Sequence, residues 1–137
     1  MPLQTIILDS FAILAWSRKE AGAFSVRDRL KDAQNNLVRL IFPLINFGEV
    51  LYITERTNGL EKAKELQAGL EELPIEILPA TRARVLAAAH IKANYPISYA
   101  DAFVVAAAQE FNATVLTGDP EFQAVKTLLQ IEWLAQK

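Results

Sequence analysis

Cysteine is absent from the 137-residue sequence, and histidine occurs only once, at His90. The lack of cysteine excludes disulfide bonds and thiolate metal sites. It is also compatible with a reducing compartment, so we expect a cytoplasmic protein. Because metal sites based on histidine need several suitably spaced ligands, the isolated His90 is interpreted as a surface or packing residue.

Long hydrophobic runs are missing as well. No stretch of about 18 uncharged apolar residues occurs, so we expect no membrane span. No basic region precedes the first apolar run, and Asp9 interrupts that run early, so we expect no signal peptide. There is no internal repeat, low-complexity segment or linker. Because 52% of the residues are hydrophobic, we expect a single domain with a substantial core over residues 1–137.

Positive charge is not in excess. The 14 Lys and Arg residues are outnumbered by 16 Asp and Glu residues, which gives a formal net charge of −2. Proteins that bind nucleic acids by bulk charge are basic, and this sequence does not have their profile. If bound metal neutralised four carboxylates, the remaining net charge would turn slightly positive. A nucleic-acid substrate is therefore compatible with the composition, provided that a local basic rim exists.

The order of apolar runs and helical patterns predicts an α/β domain with a mostly parallel central sheet. The run Ile6-Ile7-Leu8 is apolar without alternation, which is typical of a strand buried on both faces. Strands are predicted at about 3–8, 37–42, 75–78, 114–116 and 130–134. Helices are predicted at about 11–16, 23–35, 44–56, 60–72, 81–93, 99–111 and 121–126.

Asp9 directly follows the first predicted strand, at the carboxyl end where open α/β sheets bind ligands. An aspartate in this position is also a common helix N-cap, which is the purely structural interpretation. Ser10 follows it, and its hydroxyl can accept a hydrogen bond from an early backbone N–H of the next helix. Because Ser10 offers that alternative cap, we interpret Asp9 as a functional acid.

Glu49 lies in the predicted helix 44–56, which is apolar almost all round and is therefore expected to be buried on most sides. Burying an unpaired carboxylate is costly and raises its pKa. Glu49 is thus expected either to line a polar site or to emerge at the edge of the helix. Asn46, one turn earlier, lies on the same helical face and could form hydrogen bonds at that site.

Asp101 and Asp119 both have structural interpretations at helix starts. Ser98 and Asp101 form an S-x-x-D capping-box pattern, and Asp119 is followed by proline, as N-cap residues often are. Both acids are nevertheless expected near the carboxyl ends of the strands, where Asp9 also lies. Thr117, two residues before Asp119, could form a hydrogen bond with a carboxylate or with a metal-bound water.

Together these acids predict a carboxylate cluster. Four carboxylates at one edge of a sheet repel one another unless they are protonated or neutralised by a cation. Hard divalent cations such as Mg²⁺ or Mn²⁺ are the natural partners of oxygen ligands. The predicted ligands are Asp9, Glu49, Asp101 and Asp119, with Ser10, Asn46 and Thr117 orienting them. The candidates for a basic rim are Arg18, Lys19, Arg56 and Lys92.

In this order, the acidic segments resemble those of the PIN domain family, and specifically of the VapC-type ribonuclease toxins. Leu8-Asp9-Ser10 resembles the first-strand acid with its Ser or Thr neighbour. Asn46-Phe47-Gly48-Glu49 resembles the N-x-x-E helix motif of the family. Asp101, at the start of an alanine-rich helix, resembles the third acid. The segment from Thr117 to Phe122 resembles the T-x-D-x-x-F motif that carries the fourth.

The resemblance implies a PIN-like three-layer α/β/α fold and an Mg²⁺- or Mn²⁺-dependent endoribonuclease. It also implies a homodimer and a cognate antitoxin, whose tail occupies the groove near the acids, often through an arginine. On this hypothesis, the metal lowers the pKa of a bound water, which hydrolyses the phosphodiester bond in line and leaves a 5′-phosphate.

Other functions remain open at this point. A phosphohydrolase with an aspartyl nucleophile also places Asp after its first strand, but its usual D-x-D pattern is broken here by Phe11. A receiver domain would need an earlier acidic pair, which is missing. The main alternative is a PIN-like module that binds RNA or a protein without cleaving, and metal-dependent cleavage would separate the two.

Overall fold

The computed structural model describes residues 3–135 and contains a five-stranded sheet in which all paired strands run parallel. The strands are β1 (Gln4–Leu8), β2 (Val38–Pro43), β3 (Glu76–Leu78), β4 (Thr114–Thr117) and β5 (Gln130–Trp133). The helices are α1 (Ser10–Ser17), α2 (Ala23–Gln34), α3 (Leu44–Asn58), α4 (Leu60–Glu71), α5 (Arg82–Asn94) and α6 (Tyr99–Phe111), and a 3₁₀ helix (Pro120–Val125) precedes β5. The predicted α/β fold with a parallel sheet is confirmed.

The strand order β3-β2-β1-β4-β5 places the first strand at the centre of the sheet. The chain extends from β1 to β2 and β3 on one side, and then returns to the other side of β1 to form β4. Leu8, the last residue of β1, is aligned with Leu116 in β4. The carboxyl ends of β1 and β4 therefore form a topological switch point, the usual ligand-binding position in an open parallel sheet.

The two faces of the sheet bury two separate hydrophobic cores, as the unalternating apolar run in β1 predicted. Ile7 points into the core that contains α5 and α6, whereas Ile6 and Leu8 point into the core that contains α1, α2 and α3. All three side chains are fully buried. The sheet is thus the middle layer of three, with side chains packed against both of its faces.

Helix α3 differs from the expectation of burial on most sides. Its buried side chains are Asn46, Phe47, Val50 and Thr54. Leu44, Ile45 and Tyr52 are exposed by 46%, 36% and 49%, respectively. The helix packs against α1, α4 and α6 and against strands β2 and β3. The apolar outer face therefore lies on the surface of the described chain.

None of the helices within residues 3–135 combines the length and the apolar character needed to cross a membrane.

Candidate metal centre

Asp9 ends the central strand and caps the helix that follows. It is completely buried, and its Oδ1 accepts a hydrogen bond from the backbone N–H of Ala12 at 2.8 Å. Its Oδ2 accepts a second hydrogen bond from the hydroxyl of Thr117. The prediction that Ser10 supplies the cap is wrong, because Ser10 instead pairs with Asn46 on α3. Asp9 therefore has both the capping position and a place at the switch point.

Burial raises the pKa of Asp9 from 3.8 to about 8. The hydrogen bonds from Thr117 and Ala12 favour the charged form and oppose this change, whereas the negative charges of Asp101 and Asp119 add to it. A fully buried carboxylate of this kind is neutral near pH 7 unless a cation compensates its charge. The environment of Asp9 therefore favours either a proton or a nearby cation.

Asp101 and Asp119 lie together, and a third acid, Glu121, joins them. One carboxylate oxygen from each of the three residues lies within 4.8 Å of the other two. Asp101 is buried, Asp119 is partly buried and Glu121 is exposed, so the group faces outward from the sheet edge. The predicted convergence of Asp101 with Asp119 is therefore seen in the structure.

The start of α6 forms only half of the predicted capping box. Ser98 accepts a hydrogen bond from the backbone N–H of Asp101 at 3.2 Å, as an N-cap does. The backbone N–H of Ser98, however, donates to Glu121 at 2.6 Å and not to Asp101. The role that a capping box gives to its acid is thus taken by Glu121, and the carboxylate of Asp101 is left for the cluster.

Burial is also the main reason that the pKa of Asp101 is raised, from 3.8 to about 7. A hydrogen bond with the Ser98 side chain lowers this pKa. The negative charges of Asp119, Glu121 and Glu49 raise it, and Asp119 has the largest effect of the three. Glu49 is therefore close enough to interact electrostatically with the cluster. Its side chain is partly exposed, so it emerges at the edge of α3, which was the structural alternative for this residue.

Asn46 connects the helices that carry the acids. Its Nδ2 donates to the hydroxyl of Ser10 at 3.2 Å and to the carbonyl of Ala100 at 3.3 Å, and the side chain is completely buried. Within residues 3–135, its Oδ1 has no hydrogen-bond partner. Asn46 thus ties α3, which carries Glu49, to the starts of α1 and α6.

Thr117 connects the two acids that follow neighbouring strands. Its hydroxyl donates to Asp9 and accepts a hydrogen bond from the backbone N–H of Asp119 at 2.9 Å. Asp119 in turn caps the 3₁₀ helix by accepting from the N–H of Glu121 at 2.9 Å. The end of β4 therefore places Asp119 and Glu121 beside Asp9 through a continuous series of hydrogen bonds.

Sequence reasoning missed Glu121. The available signal was its spacing, because it lies two residues after Asp119 and within the first turn of the segment that begins at the end of β4. In the structure, the backbone N–H of Glu121 donates to the carboxylate of Asp119, and the carboxylate of Glu121 accepts from Ser98 at the start of α6.

The four predicted rim cations lie at different places. Arg18 and Lys19 line a surface cleft of about 1080 Å³ between the end of α1, the start of α2, the end of α3 and α4. Arg18 also donates to the hydroxyl of Thr57 at 3.3 Å. The guanidinium of Arg56 lies 5.0 Å from the ring centre of Tyr52, and Lys92 is exposed in the last turn of α5. A basic rim built from these residues stays a prediction.

The arrangement of carboxylates suits a divalent cation. Oxygen ligands of Mg²⁺ lie about 2.1 Å from the ion, so two ligands are separated by about 3 Å when adjacent and about 4 Å when opposite. The oxygens of Asp101, Asp119 and Glu121, within 4.8 Å of one another, need only small side-chain adjustments to reach that spacing. Asp9 and Glu49 add negative charge nearby.

Comparisons with known proteins agree with this geometry. The PIN domain family model matches residues 6–128. No curated protein matches the sequence significantly. Several solved structures are nevertheless similar to it over most of their length, at low sequence identity.

A chain from the DNA-bound VapBC complex of Salmonella typhimurium superposes with a TM-score of 0.74 at 19% identity, covering 96% of this chain and 98% of that one. A chain from VapBC2 of Rickettsia felis, bound to a fragment of its promoter DNA, gives a TM-score of 0.73 at 16% identity, covering 96% and 99%. VapC20 of Mycobacterium tuberculosis, a toxin that cleaves the sarcin–ricin loop, superposes with a TM-score of 0.70 at 14% identity, covering 88% of this chain and 94% of that one. The chain therefore belongs to the PIN domain family and has the fold of the VapC toxins.

Proposed function

We propose that the protein is a metal-dependent endoribonuclease and the toxin component of a toxin–antitoxin pair. The observation that carries the proposal is the group of three carboxylate oxygens within 4.8 Å of one another, at the switch point of a PIN-domain sheet. Asp9 lies beside this group, fully buried, and is connected to it through Thr117. Membership of the PIN domain family adds a general expectation of nuclease activity.

Asp101, Asp119 and Glu121 are the proposed ligands of Mg²⁺ or Mn²⁺ through their nearest oxygens, and Asp9 and Glu49 complete the site. A bound cation would lower the pKa of a coordinated water and stabilise negative charge on the phosphodiester. Attack of that water on phosphorus with cleavage of the P–O3′ bond would leave a 3′-hydroxyl on one product and a 5′-phosphate on the other. The protein's own contribution is to hold these acids in place. Their negative field also disfavours phosphate binding until a cation is present.

Hydrogen bonds from uncharged residues orient the carboxylates. Thr117 holds Asp9 by donating a hydrogen bond to its Oδ2. The same hydroxyl accepts a hydrogen bond from the backbone N–H of Asp119. Ser10 and Asn46 join the starts of α1 and α3. Residues of this type around a metal site change its affinity or activity by about 10- to 100-fold when they are replaced.

An antitoxin partner and a homodimer are part of the proposal. The matched relatives from Salmonella typhimurium and Rickettsia felis come from VapBC complexes. The cleft lined by Arg18 and Lys19 has a volume of about 1080 Å³, enough to accept a segment of a partner chain, and its lining is separate from the carboxylate cluster. The exposed apolar residues of α3, Leu44 and Ile45, are suited to contact with a second copy.

The test is cleavage of a mixed pool of structured RNA by the purified protein with Mg²⁺ or Mn²⁺, and with chelator. Asp101→Asn should abolish cleavage, whereas Glu61→Gln, which removes a charge from an exposed position on α4, should leave it unchanged. Products should carry a 5′-phosphate. Cleavage that persists in chelator or in Asp101→Asn would refute the proposal. Metal-dependent RNA binding without cleavage would favour the non-catalytic alternative.

A further inference from the structure

Phe11 is an exposed aromatic side chain in an otherwise buried stretch. Asp9, Ser10, Ala12 and Ile13 are all buried, whereas Phe11 is 41% exposed. An exposed apolar residue alone carries no information about function, because much of every protein surface is apolar. Its contact with the segment that carries Asp119 is what distinguishes it.

One side of the Phe11 ring lies directly on Gly118, the residue before Asp119. A Cβ atom added to Gly118 would be 2.5 Å from Cε1 of Phe11, 3.0 Å from Cδ1 and 3.2 Å from Cζ. Gly118 is not among the glycines with positive φ, so its backbone does not require a glycine. The absence of a side chain at Gly118 instead makes room for the phenyl ring.

This contact places the ring between two strand ends. Phe11 follows β1 on the first turn of α1, and Gly118 follows β4, which is the neighbouring strand in the sheet. The acids Asp9 and Asp119 lie two residues before Phe11 and one residue after Gly118. The ring therefore lies at the adjoining ends of β1 and β4, close in the chain to Asp9 and Asp119, and the residue is partly exposed.

We propose that the exposed part of the Phe11 ring is a stacking platform for an unpaired nucleobase next to the phosphodiester that reaches the carboxylates. The proposal rests on the ribonuclease function proposed above and names its substrate class as single-stranded RNA or an RNA loop. A paired base is already stacked within its helix, so only an unpaired or splayed base can lie on a protein ring.

The charge of the chain supports this mode of recognition. With 16 acidic and 14 basic residues, phosphate attraction over the whole surface is weak. Stacking on an aromatic ring supplies affinity without charge and tolerates different bases, because every base has a π face. A platform beside an acidic site can thus hold the RNA strand where its backbone alone would be repelled.

The first test compares steady-state cleavage of an unstructured RNA by wild type, Phe11→Leu and Phe11→Trp. Leucine keeps an apolar contact with Gly118 but removes the aromatic face, whereas tryptophan keeps that face. Phe11→Leu is expected to raise KM by about 5- to 100-fold. The kcat should stay within about threefold of the wild-type value, since no reacting group is lost. Phe11→Trp should resemble wild type, and annealing the RNA to its complement should abolish cleavage of that strand.

A second readout does not depend on cleavage. An RNA containing 2-aminopurine, whose fluorescence is quenched by stacking, is titrated with cleavage-deficient Asp101→Asn in the presence of Mg²⁺. Quenching is expected with Phe11 or Trp at this position and is expected to be lost with Leu. Gly118→Ala displaces the ring and should weaken quenching as Phe11→Leu does. When Phe11→Ala has already removed the ring, adding Gly118→Ala should cause no further loss of quenching. This pair keeps the test open if one variant fails to fold.

The outcomes separate the two proposals. An unchanged KM and unchanged quenching in Phe11→Leu would overturn the platform and leave the ribonuclease intact. Phe11-dependent quenching without any cleavage by wild type would overturn the ribonuclease and keep the platform. The absence of both cleavage and Phe11-dependent quenching would overturn both, and would leave Phe11 as a packing residue or a contact for a protein partner.

Discussion

Asp101→Asn is expected to stabilise the metal-free protein, and to do so more strongly at pH 8 than at pH 5. The substitution keeps the size of the side chain and leaves the backbone hydrogen bond to Ser98 in place. It removes a charge from a buried position that carries other acids around it. The prediction concerns stability in chelator, where no cation compensates that charge.

The magnitude follows from the pKa of Asp101, which is raised from 3.8 to about 7 in the folded protein. The pKa of Asp101 is higher in the folded than in the unfolded protein. The stabilising contribution of its protonated side chain is therefore fully present below about pH 4 and is lost as the pH rises through about 7. Each pH unit between these values costs the folded protein about 1.4 kcal/mol, so the change from pH 5 to pH 8 costs about 2–3 kcal/mol. Asparagine does not ionise and avoids this cost.

The assay is thermal unfolding in chelator at a series of pH values, followed by circular dichroism. The free energy of unfolding of Asp101→Asn, relative to that of wild type, should increase by about 2–3 kcal/mol between pH 5 and pH 8. This increase is equivalent to a Tm difference of about 6–12 °C for a domain of this size. Glu61→Gln, on the exposed surface of α4, serves as the control and should show no such growth. A variant that is less stable than wild type at pH 8 would show that Asp101 serves the start of α6, and would refute the reasoning.

Three further predictions follow from the same site. Mg²⁺ at about 100 times its Kd should raise wild-type stability by about 2.7 kcal/mol, and Glu121→Gln should weaken this effect while leaving metal-free unfolding similar, as calorimetry and melting would establish. Thr117→Val should lower activity by about 10- to 100-fold because Asp9 loses its orienting hydroxyl, whereas Thr117→Ser should retain activity; equal loss in both would contradict this role. Asn46→Ala should cost about 2–4 kcal/mol in urea unfolding, from two lost hydrogen bonds and a cavity, and a smaller change would show that Asn46 is not needed to hold the helices.

Strand and helix positions could be predicted from the sequence because their signals are local. The run Ile6-Ile7-Leu8 has no polar alternation, and the structure buries it on both faces. Ser98 was predicted to stand at the start of α6, and it accepts the expected capping hydrogen bond from the backbone N–H of Asp101. Such features depend on side chains within a few residues, which is the range that a sequence pattern describes.

Features that depend on distant partners were predicted less well. The apolar character of α3 indicated burial, but which of its faces would be covered depends on the packing of α1, α4 and α6. The capping of α1 was assigned to Ser10, although Ser10 pairs with Asn46, which is 36 residues away. Glu121 was missed because its proximity to Asp101 arises from the docking of two separate segments.

The centre of the sheet joins parts of the chain that lie far apart in the sequence. The hydrogen bond between Asp9 and Thr117 spans 108 positions in the sequence. During synthesis, β1 and its acid emerge from the ribosome first, and β4 with Asp119 and Glu121 emerges near the end. The carboxylates therefore cannot assemble on a nascent chain until almost all of it has been made. A chain interrupted before β4 would carry part of the acidic set but could not close the site.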